Sequence, residues 1–214
     1  MKNIKLNSVL PKIFANREDL RSDVWLNDLE FERGKSYLVR AESGQGKSSL
    51  CSYLYGQRGD YQGSILFDDK DISRFSTNEW CDIRKHSITI LFQDLRLFGE
   101  LTALENIEIK NRITHTHTDK TILSWFEALG IPDKVNSRID RMSYGQQQRV
   151  ALIRALCQPF DFLILDEPIS HLDDRNSDIM RDIILAEAKR QGAGIIATSI
   201  GKHLNIDYDK VLQL

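Results

Sequence analysis

Ala41-Glu42-Ser43-Gly44-Gln45-Gly46-Lys47-Ser48-Ser49 decides how this chain is read. Before it runs Ser36-Tyr37-Leu38-Val39-Arg40, short and β-prone. After it, Ser49-Leu50-Cys51-Ser52-Tyr53-Leu54-Tyr55 continues as a helix. Strand, glycine loop and helix form the context of a phosphate-binding loop. Backbone N–H groups of such a loop converge on phosphate oxygens, and the helix N-terminus adds partial positive charge. Ser43, Gly44, Gln45, Gly46, Lys47, Ser48 and Ser49 are therefore candidate phosphate contacts, with Lys47 as a point charge and the Ser48 hydroxyl as a ligand for Mg²⁺. The usual pattern G-x-x-x-x-G-K-[ST] opens on glycine, and here that position is Ala41. Alanine costs little there provided its φ is negative.

With 214 residues the chain can build one large domain with a real core. A net charge of −2 gives no global field toward nucleic acid or anionic lipid. Cys51, Cys81 and Cys157 share no metal-ligand spacing, and an odd count without a secretory leader points to free thiols in a reducing compartment. No apolar run approaches the roughly 20 residues that span a bilayer, so a role at a membrane requires a partner to hold the chain there.

Short strands are expected at Ile4 to Ser8, at Val24-Trp25-Leu26 and at Leu29-Glu30-Phe31-Glu32, with the charged turn Asn16-Arg17-Glu18-Asp19 between the first two. Their spacing suggests an antiparallel layer preceding the phosphate loop. Phe14 is a candidate to stack on adenine, and equally a core aromatic of these strands. After the loop helix, Ser64-Ile65-Leu66-Phe67 reads as a strand, and Ser76 with Glu79 as a helix start. Ser87-Ile88-Thr89-Ile90-Leu91-Phe92 reads as a buried strand ending at Gln93-Asp94, and ligands of open α/β sheets bind at such strand ends.

From Leu95 to Asp140 the pattern is helical. His115 and His117 alternate within Thr114-His115-Thr116-His117-Thr118, but no third metal ligand accompanies them, and a solvated loop is the expectation. In Met142-Ser143-Tyr144-Gly145-Gln146-Gln147-Gln148-Arg149, Ser143 caps a helix whose N-terminus is a second anion site. Phe162-Leu163-Ile164-Leu165 is a fully apolar strand ending in Asp166-Glu167-Pro168. Two carboxylates at the end of a buried strand are costly without a task. Asp166 is placed to hold a metal or its water, and Glu167 to orient an attacking water. A long helix fills Asn176 to Gln191, Gly194-Ile195-Ile196-Ala197-Thr198 is a last core strand, and Val211-Leu212-Gln213-Leu214 adds an edge strand. No regulatory tail is expected after that strand.

The order phosphate loop, Gln93, Ser143-Tyr144-Gly145-Gln146, Leu165-Asp166-Glu167-Pro168, Ser170-His171-Leu172-Asp173 resembles the ATPase subunit of an ABC transporter along essentially the whole chain. The stretch Leu-Phe-Gln-Asp followed by Leu-Thr-Ala-Leu-Glu-Asn-Ile is similar to the branch serving lipoprotein release, macrolide export and cell division. The resemblance implies an α/β P-loop NTPase fold of ABC type: a mostly parallel core sheet, an N-terminal antiparallel β layer, and a helical subdomain at about 95–142 inserted in a single 1–214 ATPase domain. It implies ATP and Mg²⁺ as cofactors, a head-to-tail pair of ATPase subunits (a homodimer) sandwiching two ATP molecules, and no nucleic acid. By the same resemblance Ser48, Gln93 and Asp166 surround Mg²⁺, and Glu167 and Lys47 are catalytic. Ser143, Gly145, Gln146 and Asp173 act on the partner's ATP. The helical region docks an integral membrane permease, which puts the chain at the cytoplasmic face of the cell membrane as a peripheral subunit.

Two positions depart from that pattern. Tyr144 stands where a second glycine is usual, so its side chain must point away from ATP. Ser199 stands where the switch histidine is usual, and a hydroxyl carries no imidazolium charge. His203, a few residues on, is either a substitute or a surface histidine. Three functions follow: an ATPase driving a permease, a mechanotransmitter that drives a membrane partner without transport, and a nucleotide-binding subunit with weak turnover. Soluble ABC ATPases of DNA repair or translation carry coiled-coil insertions or tandem units, which this chain lacks.

Overall fold

The computed structural model describes residues 1–17, 20–169 and 172–214. Glu18 and Asp19 of the charged turn, and Ser170 and His171 beyond the carboxylate pair, lie outside the described residues. The chain opens with β1 (Asn3–Pro11), β2 (Leu29–Glu32) and β3 (Ser36–Arg40), followed by α1 (Lys47–Leu54). Next come β4 (Tyr61–Phe67), β5 (Lys70–Asp71), α2 (Thr77–His86) and β6 (Ile88–Leu91). Helices α3 (Ala103–Thr114), α4 (Asp119–Ala128) and α5 (Tyr144–Leu156) precede β7 (Phe162–Asp166). The chain closes with α6 (Asp174–Gln191), β8 (Gly194–Ser199) and β9 (Lys210–Gln213).

Two sheets carry the architecture. One is a parallel sheet in the order β6-β7-β8-β3-β9, the other an antiparallel sheet in the order β2-β1-β4-β5. Every residue of β7 and β8 is buried, because both faces of the parallel sheet are covered. Alternation along β7 sends Leu163 and Leu165 into the core shared with α3 to α6, and Phe162 and Ile164 into the core shared with α1 and the antiparallel sheet. The strand ends that face the loop, Arg40, Asp166 and Ser199, are therefore held between two packed layers.

Local chemistry sets the helix starts. Ser76, Thr102 and Ser143 each form a reciprocal capping box, with Glu79, Glu105 and Gln146 respectively. Two expectations need correction. The antiparallel layer does not wholly precede the phosphate loop, since β4 and β5 join it from beyond α1. Val24-Trp25-Leu26 is a turn and not a strand. The Ser22 hydroxyl accepts the amides of Val24 and Trp25 at 3.0 and 2.9 Å, and Leu26 takes a φ of 60°.

Candidate nucleotide site

Gly46 closes the loop as the N-cap of α1 at a φ of 100°. A side chain there would meet the Phe14 ring at 3.0 Å and the Trp25 ring at 3.1 Å, so only glycine fits. Ala41 is not among the residues at positive φ, as its substitution for glycine requires. Trp25 supports the loop from below, donating its indole N–H to the Gln45 carbonyl at 3.1 Å. Lys47 is buried, and its Nζ lies 3.3 Å from Ala41 O, 3.0 Å from Glu42 O and 3.6 Å from Glu167 Oε1.

The carboxylate pair sits directly opposite. Thr198 Oγ1 donates to Asp166 Oδ1 at 2.8 Å and accepts the Glu167 amide at 3.2 Å. Glu167 holds a φ of 51°, a costly conformation for a side chain with a Cβ and one that concentrates at functional sites. Buried Gln148 of α5 fixes the next turn by donating to Pro168 O at 2.6 Å. Burial pushes the Cys51 thiol well up, and the Asp166 charge adds to it, so this cysteine behaves as a small apolar group.

Two adjoining clefts open on this arrangement. One, of about 290 Å³, is lined by Ile13, Phe14, Ser43, Gly44, Gly46, Lys47, Ser48, Ser49, Gln93, Glu167 and Ile200. The other, of about 390 Å³, contains Ser48, Gln93 and Asp166 among its lining residues. A hydroxyl, an amide and a carboxylate around one space are oxygen donors suited to a hard divalent cation. The lysine and glycine loop beside them suit a phosphate chain. The residues thus fit a nucleotide with its metal.

Ser143, Gly145 and Gln146 line neither cleft among the described residues, and Ser143 lies exposed at the N-terminus of α5. Asp173 is exposed and caps α6, where the backbone and side-chain N–H groups of Asn176 hold its carboxyl below the usual range. Phe14 is 4 % exposed, with its ring against Gly46 and the Arg17 guanidinium 4.4 Å above it. Its neighbour Ile13 is an exposed apolar residue of that turn, at 75 %. Ser199 is 1 % exposed, and its hydroxyl has no hydrogen-bond partner among the described residues. Its neighbour Ile200, 48 % exposed, reaches the cleft instead. Sequence reasoning gives no role to Ile13, Trp25 or Ile200, which carry no motif, nor to Gln148, which lies in the quoted signature stretch itself.

The histidine pair also differs from expectation. His115 is exposed, but the His117 side chain is buried, 3.2 Å from Glu187 Oε1, with Trp125 against its ring. No group of three or more His, Cys, Asp or Glu able to hold a metal occurs among the described residues.

The sequence pattern of the ABC transporter family matches residues 27–170. The chain belongs to that family. This ABC cassette is an ATPase, and the likeness extends beyond the matched segment. It is 33% identical over 176 residues to the lipoprotein-releasing system ATP-binding protein LolD of Buchnera aphidicola subsp. Schizaphis graminum, covering 80% of this chain and 76% of LolD. It is 29% identical over 193 residues to the macrolide export ATP-binding/permease protein MacB of Shewanella sp. strain ANA-3, covering 87% of the cassette and 29% of MacB. The cassette thus spans less than a third of the length of that relative. Its fold matches the ATP-binding cassette MJ0796 in a dimeric post-hydrolysis state bound to ADP and Pi, with a TM-score of 0.77 at 22% identity over 92% of this chain and 87% of that one. No helix among the described residues is long and apolar enough to cross a membrane.

Proposed function

We propose that this cassette pairs with a second ATPase subunit around ATP and drives a separate membrane permease from the cytoplasmic face of the membrane. The observation that carries this reading is Glu167 facing Lys47 across the cleft at 3.6 Å, with Asp166 fixed beside it by Thr198. In this reading Lys47 and the loop amides hold the β- and γ-phosphates, while Ser48, Gln93 and Asp166 hold Mg²⁺. Glu167 polarises the attacking water. ATP supplies the bond that is broken, and Mg²⁺ neutralises the charge that develops. Ser143, Gly145, Gln146 and Asp173 serve the partner's nucleotide, which agrees with their lying outside both clefts. Phe14 supports Gly46, and the base meets Ile13 in its place.

The helical region at about 95–142 is assigned to the permease. Phe98 is 52 % exposed, whereas Leu97 packs partly on the core, so Phe98 is the contact of that pair. A groove of about 370 Å³ between α2 and α3, lined by Tyr55, Arg84, Lys85, Lys110 and Ile113 among others, contains cations and no carboxylate. It suits an apolar helix carrying an acidic residue.

The reading is tested with Glu167→Gln, which is expected to bind ATP, fail to hydrolyse it and elute as a dimer on size-exclusion chromatography. A monomer at millimolar ATP, with and without the membrane partner, sinks it. A second reading, nucleotide binding with weak turnover, is favoured by one observation: just after β8 an isoleucine, Ile200, and not a polar donor, lines the cleft that Glu167 also lines.

A further inference from the structure

Helix α5 grips the segment after β6 with two side chains. Tyr144 donates its hydroxyl to the Gln93 carbonyl at 2.7 Å. Arg154 donates to the Leu95 carbonyl at 2.6 Å and the Arg96 carbonyl at 2.7 Å. The gripped segment is not relaxed: Leu95 and Arg96 hold φ values of 56° and 49°, which non-glycine residues avoid. Leu95 is anchored in the core, while Gln93 lies outside that anchor and is exposed at the cleft. Only the Tyr144 hydroxyl ties the Gln93 carbonyl to α5 among the described contacts.

The position of this bond matters. Tyr144 lies between Ser143 and Gly145, the residues assigned to a second subunit's nucleotide. The carbonyl it holds belongs to Gln93, which lines the subunit's own cleft. A hydrogen bond weakens as it lengthens beyond about 3.0 Å, so a shift of the α5 N-terminus either draws the Gln93 backbone along or breaks this bond. A glycine in place of Tyr144 has no side chain to make this connection.

We propose that Tyr144 is a positioning residue that couples the two nucleotide sites of an ATP sandwich by tying Gln93 to the N-terminus of α5. The inference rests on the sandwich reading above. Coupling between two sites is a free energy, and it is read as cooperativity. Tyr144→Phe keeps the ring and removes the hydroxyl that reaches the Gln93 carbonyl.

The experiment measures phosphate release against ATP concentration for wild type and Tyr144→Phe, with ADP affinity and thermal midpoint of each. Glu167→Gln is tested for ATP-dependent dimerisation in parallel. The expected result is a Hill coefficient above one in wild type that falls to about one in Tyr144→Phe. The variant's kcat drops severalfold, with ADP affinity within twofold of wild type. A variant that loses thermal stability but keeps the wild-type Hill coefficient has a structural tyrosine only, and the inference is overturned. A dimerising Glu167→Gln chain with unchanged cooperativity and kcat in Tyr144→Phe overturns this inference alone. A Glu167→Gln chain that stays monomeric in ATP overturns the sandwich and this inference together.

Discussion

His203 Nε2 lies 3.2 Å from a guanidinium nitrogen of Arg40, and His203 Nδ1 lies 3.0 Å from the Gly201 carbonyl. Arginine only donates, so Nε2 accepts and Nδ1 carries the hydrogen to Gly201. Both ring nitrogens are thereby engaged with the chain's own atoms, and the ring stands against Tyr208. A histidine held in this way orders the loop after β8. It has no nitrogen left for a phosphate.

The same geometry separates three substitutions at this loop. His203→Ala is expected to leave ATP turnover within about twofold of wild type. Ile200→His puts an imidazole on the cleft that Glu167 also lines, and a well-placed donor there is worth roughly 10²–10³ in rate. Even an imperfect fit is expected to raise kcat about tenfold. Ser199→His forces a large ring into a position that is 1 % exposed, at about 1–3 kcal/mol of stability. Steady-state phosphate release and urea melts decide among these. A collapse of activity in His203→Ala means that its Arg40 and Gly201 bonds open during turnover.

Trp25 gives a second test, because it touches the loop without touching the phosphates. Trp25→Phe keeps an aromatic under Gly46 and deletes the N–H that reaches Gln45 O. A lost hydrogen bond of this kind costs about 1 kcal/mol. KM for ATP is expected to rise severalfold with kcat little changed, since the loop loosens for substrate and transition state alike. An unchanged KM shows that Phe14 alone supports the loop.

Much of this was legible in the sequence, and the limits are physical. The phosphate loop, the apolar run of β7 and its two carboxylates, and the Ser76 and Ser143 caps are local signals, and all appear where expected. Val24-Trp25-Leu26 misled because its β-prone composition is overridden by the Ser22 hydroxyl, a two-to-three-residue contact that leaves no periodic trace. Phe14 and Ile13 are adjacent, and only the packing of Gly46 decides which one is turned inward. His117 looked solvated because its partner, Glu187, lies 70 residues further along (187 − 117 = 70).

Lys110 makes a pH prediction. Burial pushes its ammonium down to about 8, and the Arg154 charge adds to this. Below that pH the folded chain bears the desolvation cost. Between about 8 and the usual 10.5 the unfolded chain holds more protons, so stability rises with pH. Lys110→Met is expected to be more stable than wild type at pH 7, by about 1–3 kcal/mol after allowing for partial exposure and the lost Gln158 contact. The advantage shrinks toward pH 10. Denaturant melts at pH 7, 8.5 and 10 read it, and a constant advantage rejects the assignment of the cost to charge.

Glu187 makes the opposite prediction at the acid end. Burial pushes its carboxyl up, but the adjacent His117 ring and hydrogen bonds from Arg190 and Gln191 outweigh that and bring it down to about 2. Arg190 donates from Nε at 2.9 Å and Nη2 at 2.6 Å and Gln191 from Nε2 at 2.6 Å, while His117 Nε2 stands 3.2 Å from Oε1 without a hydrogen bond among the described residues. The Arg190 and Gln191 bonds lie within α6, and the His117 contact alone of these joins the α3–α4 connection to α6. The folded value lies below the ordinary 4.5, so the stabilisation is fully present above pH 4.5 and is lost as the pH falls toward about 2. Glu187→Gln is expected to cost about 2–3 kcal/mol at pH 7 and close to nothing near pH 2. Repeating the comparison in a His117→Asn background isolates the share of the His117 contact. In that background the cost at pH 7 is smaller, since one of the stabilising contacts is gone, but it still vanishes with acid. A Glu187→Gln cost that stays the same from pH 7 to pH 2.5 would mean that side-chain packing, not carboxylate charge, sets the contribution of Glu187 to stability.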